Sequence, residues 1–233
     1  MLNWLRPDAL AETYRDPVSW AVLAVDLFPI YALIQFGWDA TALVFLYWLE
    51  NLIIGGVTLL RMLAASTNNG PLGVASLAFL GPFFTIHYGM FCFVHGIFLA
   101  VFAAAASGGM AEADFMGPLA LVGFALSTGE QMGLFVGAII ALQLFLYVRD
   151  FLGRGAFREA TIQTEMMKPY GRIILLHFAL FAGFGLMVAF GQPMIGVLGL
   201  ILLRALWGVY QSHLRHIQPQ RESLNKVDEA SPI

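Results

Sequence analysis

Long apolar runs separated by short polar stretches dominate the chain. A bilayer core about 30 Å thick calls for about 20 mainly apolar residues in helical form, and runs of that length recur at roughly 17–36, 39–62, 77–105, 131–151, 171–191 and 193–212. The pattern predicts an all-α integral membrane bundle of six transmembrane helices. Asp16-Pro17, Lys168-Pro169 and Gln192-Pro193 predict the starts of spans one, five and six, each placing proline at the first helical position. The first run reads as an uncleaved span, because the residues before it are polar-rich and lack the charged start and small-residue cleavage site of a signal peptide. A further apolar run, Phe115 to Leu126, is too short to cross and is interrupted by Gly117-Pro118. The loop 106–130 therefore reads as a re-entrant or interfacial segment.

Basic residues orient this topology, since Lys and Arg concentrate in cytoplasmic loops. With the N-terminus inside, the cytoplasmic segments hold Arg6 and Arg15, then Arg61, then Arg149, Arg154, Arg158, Lys168 and Arg172, then Arg215, Arg221 and Lys226. The external loops hold none, while Asp39, Glu112, Asp114 and Glu130 face outward. The expected orientation is N-in and C-in. Residues 1–16 form a cytoplasmic or interfacial segment, 17–212 one six-helix domain, and 213–233 a cytoplasmic tail disordered at its end.

Composition agrees. Of the 233 residues, 59% are hydrophobic and only 12% charged, against about 45–50% and about 25% in soluble domains. A net charge of −3 without a basic face offers no footprint for nucleic acid. The lone Cys92 excludes an internal disulfide or a CxxC pair.

Against this background a few polar residues are costly. An ionisable side chain inside a span costs about 2.5–3.5 kcal/mol on insertion scales, which makes each one a candidate for function. Asp26, Glu50 and Arg204 fall near the middle of spans one, two and six. At 1.5 Å per residue His87 lies about 15 Å into span three, His95 about 12 Å further out, and His177 about 9 Å into span five. Glu50 and His87 thus share a level. Tyr47 and Glu50, three apart, occupy one helical face. His87 and His95, eight apart, are turned about 80° from one another, so each needs partners from other helices. Imidazole and carboxylate together suit a transition metal such as Zn, Fe or Cu. Glu50, His87, His95 and His177 are the candidate ligands, and Glu50, Tyr47 and Arg204 the candidate catalytic groups. Structural pairing of Arg204 with Glu50 or Asp26 is the competing explanation. His213 and His216, beside Arg215, read as head-group contacts. Gly133 and Gly137 read as a close-packing pair, and Trp4, Trp20, Trp38 and Tyr170 as interfacial anchors.

The stretch Tyr47-Trp48-Leu49-Glu50-Asn51, followed by His87-Tyr88-Gly89 and His95-Gly96, resembles a bacterial family of small multipass membrane proteins catalogued only as a domain of unknown function. The resemblance runs from span one to span six and implies no activity. The expected function is a metal-dependent hydrolase or oxidoreductase acting on a lipid or other apolar substrate; the alternatives are a proton-coupled transporter or channel using the same residues, a b-type haem protein with His87 and His177 as axial ligands, and a non-catalytic scaffold. The bilayer is the expected partner and the bacterial inner membrane the expected location.

Overall fold

The computed structural model describes residues 7–106 and 117–171, together with 173, 174, 185, 206, 208–210 and 212–214. Regular structure among the described residues is all helical: α1 (Pro7–Thr13), α2 (Pro17–Gln35), α3 (Ala40–Ser66), α4 (Gly70–Ala106), α5 (Pro118–Ser127) and α6 (Met132–Leu146), then α7 over 162–171. A 3₁₀ turn, Thr67–Asn69, joins α3 to α4, and a π-helical turn, Tyr147–Gly153, continues α6 into a 3₁₀ turn at Ala156–Arg158. Four helices are long and apolar enough to cross a bilayer: Pro17–Gln35, Ala40–Ser66, Gly70–Val101 and Met132–Gly153. They coincide with the first four predicted runs. The fifth and sixth runs lie largely outside the described residues, as do His177 and Arg204.

Helix starts follow from capping chemistry. Asp16 Oδ1 accepts from the Val18 amide at 3.0 Å, as Asp16-Pro17 predicted, and Asp39 Oδ1 accepts from Ala42 at 2.9 Å to open α3. Two starts differ from expectation. Helix α4 begins at Gly70, whose φ of +53° suits glycine, rather than near 77. Helix α7 begins after Thr161, whose Oγ1 accepts from the Thr164 amide at 3.2 Å, so Pro169 lies inside it. An internal proline forfeits a single backbone bond to the carbonyl four residues back, and α7 runs on through it.

The chain forms two units, Met1–Tyr31 with Leu198–Ile233, and Ala32–Val197. In the first, α2 buries Ser19, Val22 and Asp26. Asp26 lies so close to Gly208 that any side chain at 208 would collide with its carboxylate. Thr13 at the end of α1 is buried, and its Oγ1 lies 3.3 Å from Nδ1 of His213, which is therefore engaged within the protein and not only at head groups.

In the second unit α3 is the central pillar: every residue from Phe45 to Asn51 is buried. Helix α4 returns antiparallel to it, with Met62 and Ala65 of α3 packed against Phe84, Tyr88 and Cys92 of α4 and against Ile162. Helix α5 runs beside both, Phe124 meeting Phe45 edge-on at 5.3 Å and Leu121 lying beside Gly96. Trp38 is 3% exposed rather than an interfacial anchor. It packs on Phe135 at 4.8 Å and donates from Nε1 to the Glu130 carbonyl at 3.0 Å. Gly133 and Gly137 have no neighbour within reach of a Cβ, so their spacing serves no close approach among the described residues.

The two ends of this unit carry opposite charge. At one end Arg61 lies over the Phe151 ring at 4.9 Å and 3.6 Å from Glu165. Asn68 donates to the carbonyls of Phe157 at 2.6 Å and Ala160 at 3.1 Å. These contacts gather Arg61, the arginines of 149–158 and Lys168. At the other end lie Asp39 and Glu130, joined through Trp38.

Candidate functional site

The seam between α3 and α4 consumes much of the motif chemistry. Trp48 donates from Nε1 to the Cys92 carbonyl at 2.7 Å, and the Tyr88 hydroxyl donates to the Asn51 carbonyl at 3.0 Å. Both bonds are buried. Two glycines make the approach possible: a Cβ on Gly55 would stand 2.7 Å from Tyr88 Cε1, and one on Gly96 2.7 Å from the Trp48 ring. Trp48, Asn51, Tyr88 and Gly96 therefore act as a clasp between helices, the use to which small residues and aromatic donors are put where no hydrophobic effect drives association.

Glu50 and His87 each sit one residue before a partner of the Tyr88–Asn51 bond. They do not meet through the seam. At about 100° per residue Glu50 projects about 160° around α3 from Trp48, and His87 about 100° around α4 from Tyr88. Glu50 is 2% exposed and Tyr47, on its face, is among the most completely buried large side chains.

His87 is half-buried and takes its partner from α7. Its Nδ1 lies 2.9 Å from the Tyr170 hydroxyl. Phe83 stacks on the imidazole at 5.2 Å and Phe91 meets it edge-on at 5.1 Å. Tyr170, expected as an interfacial anchor, is instead the partner of a mid-helix histidine. His95 turns Nδ1 to the carbonyl of Phe91 on its own helix at 2.6 Å, which commits one ring nitrogen locally. Among the described residues no three His, Cys, Asp or Glu side chains converge to hold a metal ion.

Glu165 was not singled out by the sequence, because it falls in a polar connection where a carboxylate is ordinary. It is 2% exposed, ion-paired to Lys168 and to Arg61 at 3.6 Å. Proximity of its sequence position to Lys168, one helical turn on, was the available signal.

Four membrane-length apolar helices, a buried carboxylate inside the central one and satisfied polar clasps between neighbours define a helical membrane-type protein whose outer surfaces suit lipid contact. The chain belongs to a family of unknown function, DUF6498, whose model matches residues 8–225. Comparison with curated proteins and with solved structures returned no match.

Proposed function

We propose that the chain is a six-span protein of the bacterial inner membrane, with both termini cytoplasmic and the 106–130 loop re-entering through α5, and that it couples proton movement to transport of a substrate. Glu50 and the His87–Tyr170 pair are the proton-carrying groups. The orientation is supported by the gathering of Arg61, Arg149, Arg154, Arg158 and Lys168 at the end opposite Asp39 and Glu130. The observation that carries the transport reading is the 2.9 Å contact of His87 with Tyr170, two proton-exchanging groups brought together from α4 and α7. Imidazole, phenol and carboxyl all exchange protons, and ionisable groups at membrane depth are where proton pathways are built. Among the described residues no three His, Cys, Asp or Glu side chains gather, which suits a relay of stations.

The test is proton entry into proteoliposomes of the full chain under an imposed pH gradient and membrane potential, followed with an internal pH dye. Glu50→Gln is expected to abolish the protein-dependent flux, and Tyr170→Phe to reduce it severalfold. A wild-type flux equal to that of Glu50→Gln overturns the reading.

A second reading is a metal-dependent enzyme acting on an apolar or lipid substrate, supported by a buried carboxylate and an imidazole carried on adjacent helices α3 and α4. In that reading Glu50, His87, His95 and His177 are ligands, with Tyr47 and Arg204 beside them. Stoichiometric Zn, Fe or Cu in the purified protein, lost in His87→Ala, selects it, and a Soret band selects b-type haem.

A further inference from the structure

Helix α7 meets each helix of the central seam through a polar contact. Toward α3 it offers Glu165, whose carboxylate lies 3.6 Å from the Arg61 guanidinium. Toward α4 it offers Tyr170, whose hydroxyl lies 2.9 Å from Nδ1 of His87. The two residues stand five apart on one short helix, about 7.5 Å along its axis. Slipping α7 by a single residue would carry its side chains about 1.5 Å along the axis and about 100° around it, more than a hydrogen bond tolerates. Whatever fixes the register of α7 on α3 therefore fixes the contact with His87.

Apolar packing alone specifies that register weakly. Ile162 and Ile173 sit in the cluster of Met62, Ala65, Phe84, Tyr88 and Cys92, and apolar contact is non-directional. The helix's own bonds are also thinned where they matter: Pro169 has no amide hydrogen to give the Glu165 carbonyl, so the turn between Glu165 and Tyr170 lacks a rung. The ion pair to α3 is directional and enclosed. The Glu165 side chain is 2% exposed and that of Arg61 28%, and the Arg61 guanidinium is itself held 4.9 Å over the Phe151 ring. The second cation on Glu165 is Lys168, three residues on in the same helix. Lys168 offsets the charge of Glu165 within α7, whereas Arg61 ties that charge to a different helix.

We propose that Glu165 is a positioning residue: its ion pair with Arg61 sets the register of α7 against α3 and so holds the Tyr170 hydroxyl on His87. Glu165 acts through the helix that carries both it and Tyr170. As a statement about proton movement the inference rests on the transport reading above; as a statement about the contact of His87 with Tyr170 it stands without that reading.

The test reads the ring nitrogens of His87 by NMR in the full chain, carrying isotopically labelled histidine, in detergent micelles. The His87 signals are those that His87→Ala removes, and Tyr170→Phe defines where they fall without the contact. Glu165→Gln, which keeps the side-chain shape and removes its charge, is expected to move them at least halfway to the Tyr170→Phe positions. Arg61→Gln, which opens the same pair from its more exposed side, is expected to do the same and carries the test alone if Glu165→Gln does not fold. Arg61→Lys, which keeps the charge, is expected to leave them closer to the wild-type positions. Lys168→Gln, which removes the cation that Glu165 meets within α7, and Ile162→Ala, which loosens the packing of α7 and leaves the pair in place, are each expected to move them far less. Wild-type signals in both Glu165→Gln and Arg61→Gln overturn the proposal, as does an equal movement in Lys168→Gln or Ile162→Ala. In proteoliposomes the flux of Glu165→Gln is expected to fall to that of Tyr170→Phe. A wild type without flux defeats the transport reading alone, because the NMR signals still decide whether Glu165 positions Tyr170.

Discussion

Helices α3 and α4 are both long and apolar enough to span a bilayer, yet 61% of the α3 span is buried inside the protein against 33% of α4. Apolar character does not separate them. What differs is the polar content of the buried face: α3 carries Tyr47, Glu50, Asn51 and Thr58 inward, whereas α4 turns Phe79, Ile86, Met90 and Phe98 outward, each more than half exposed. Lipid tails are as good a solvent for leucine as a protein interior is, so a membrane helix is drawn inward by the groups that lipid cannot satisfy. Glu50 at 2% exposure and Phe79 at 73% are two outcomes of one rule.

That contrast can be attacked where the two helices touch. Trp48→Ala removes a buried indole and its bond to the Cys92 carbonyl together, and is expected to cost about 3–5 kcal/mol, read as the loss of stability to denaturant in detergent or bicelles. A loss below about 1 kcal/mol would mean that α3 is not held by this clasp. Gly96→Ala is expected to cost about 1–3 kcal/mol by forcing the Trp48 ring and Leu121 aside, without removing any bond. At the outward face of α4, Phe79→Ala is expected to change stability by less than about 0.5 kcal/mol, because lipid replaces the lost contacts. A large loss there would show that the face is covered by protein and would erase the distinction between the two helices.

Much of this architecture is legible in residue order. Bilayer-length runs located α2, α3, α4 and α6, and a run broken at Gly117-Pro118 located α5. Asp16 before Pro17 marked a true cap. The α4 start was hidden by Gly70, Pro71, Gly73 and Ser76, which break up the apolar signal of Leu72 and Val74 in its first turns. Pro169 misled because an interior proline and a first-turn proline look alike without the Thr161 cap in view. The motif residues were conspicuous, but their division of labour was not: Trp48 and Tyr88 spend their donors on backbone carbonyls, a pairing that depends on which face of each helix the glycines open. Tyr170 as the partner of His87 joins positions 83 residues apart, a distance that no local spacing encodes.

The burial of Trp38 has a practical use. Its indole, just before α3, and that of Trp48, within the first third of α3, are enclosed by protein, while Trp20 is 58% exposed. Brominated acyl chains should therefore quench emission from Trp20 and spare the two enclosed rings. With Trp4, Trp20 and Trp207 replaced by phenylalanine, the remaining fluorescence becomes an optical gauge of the second unit alone, and its red shift on denaturation would report when water first reaches the pillar.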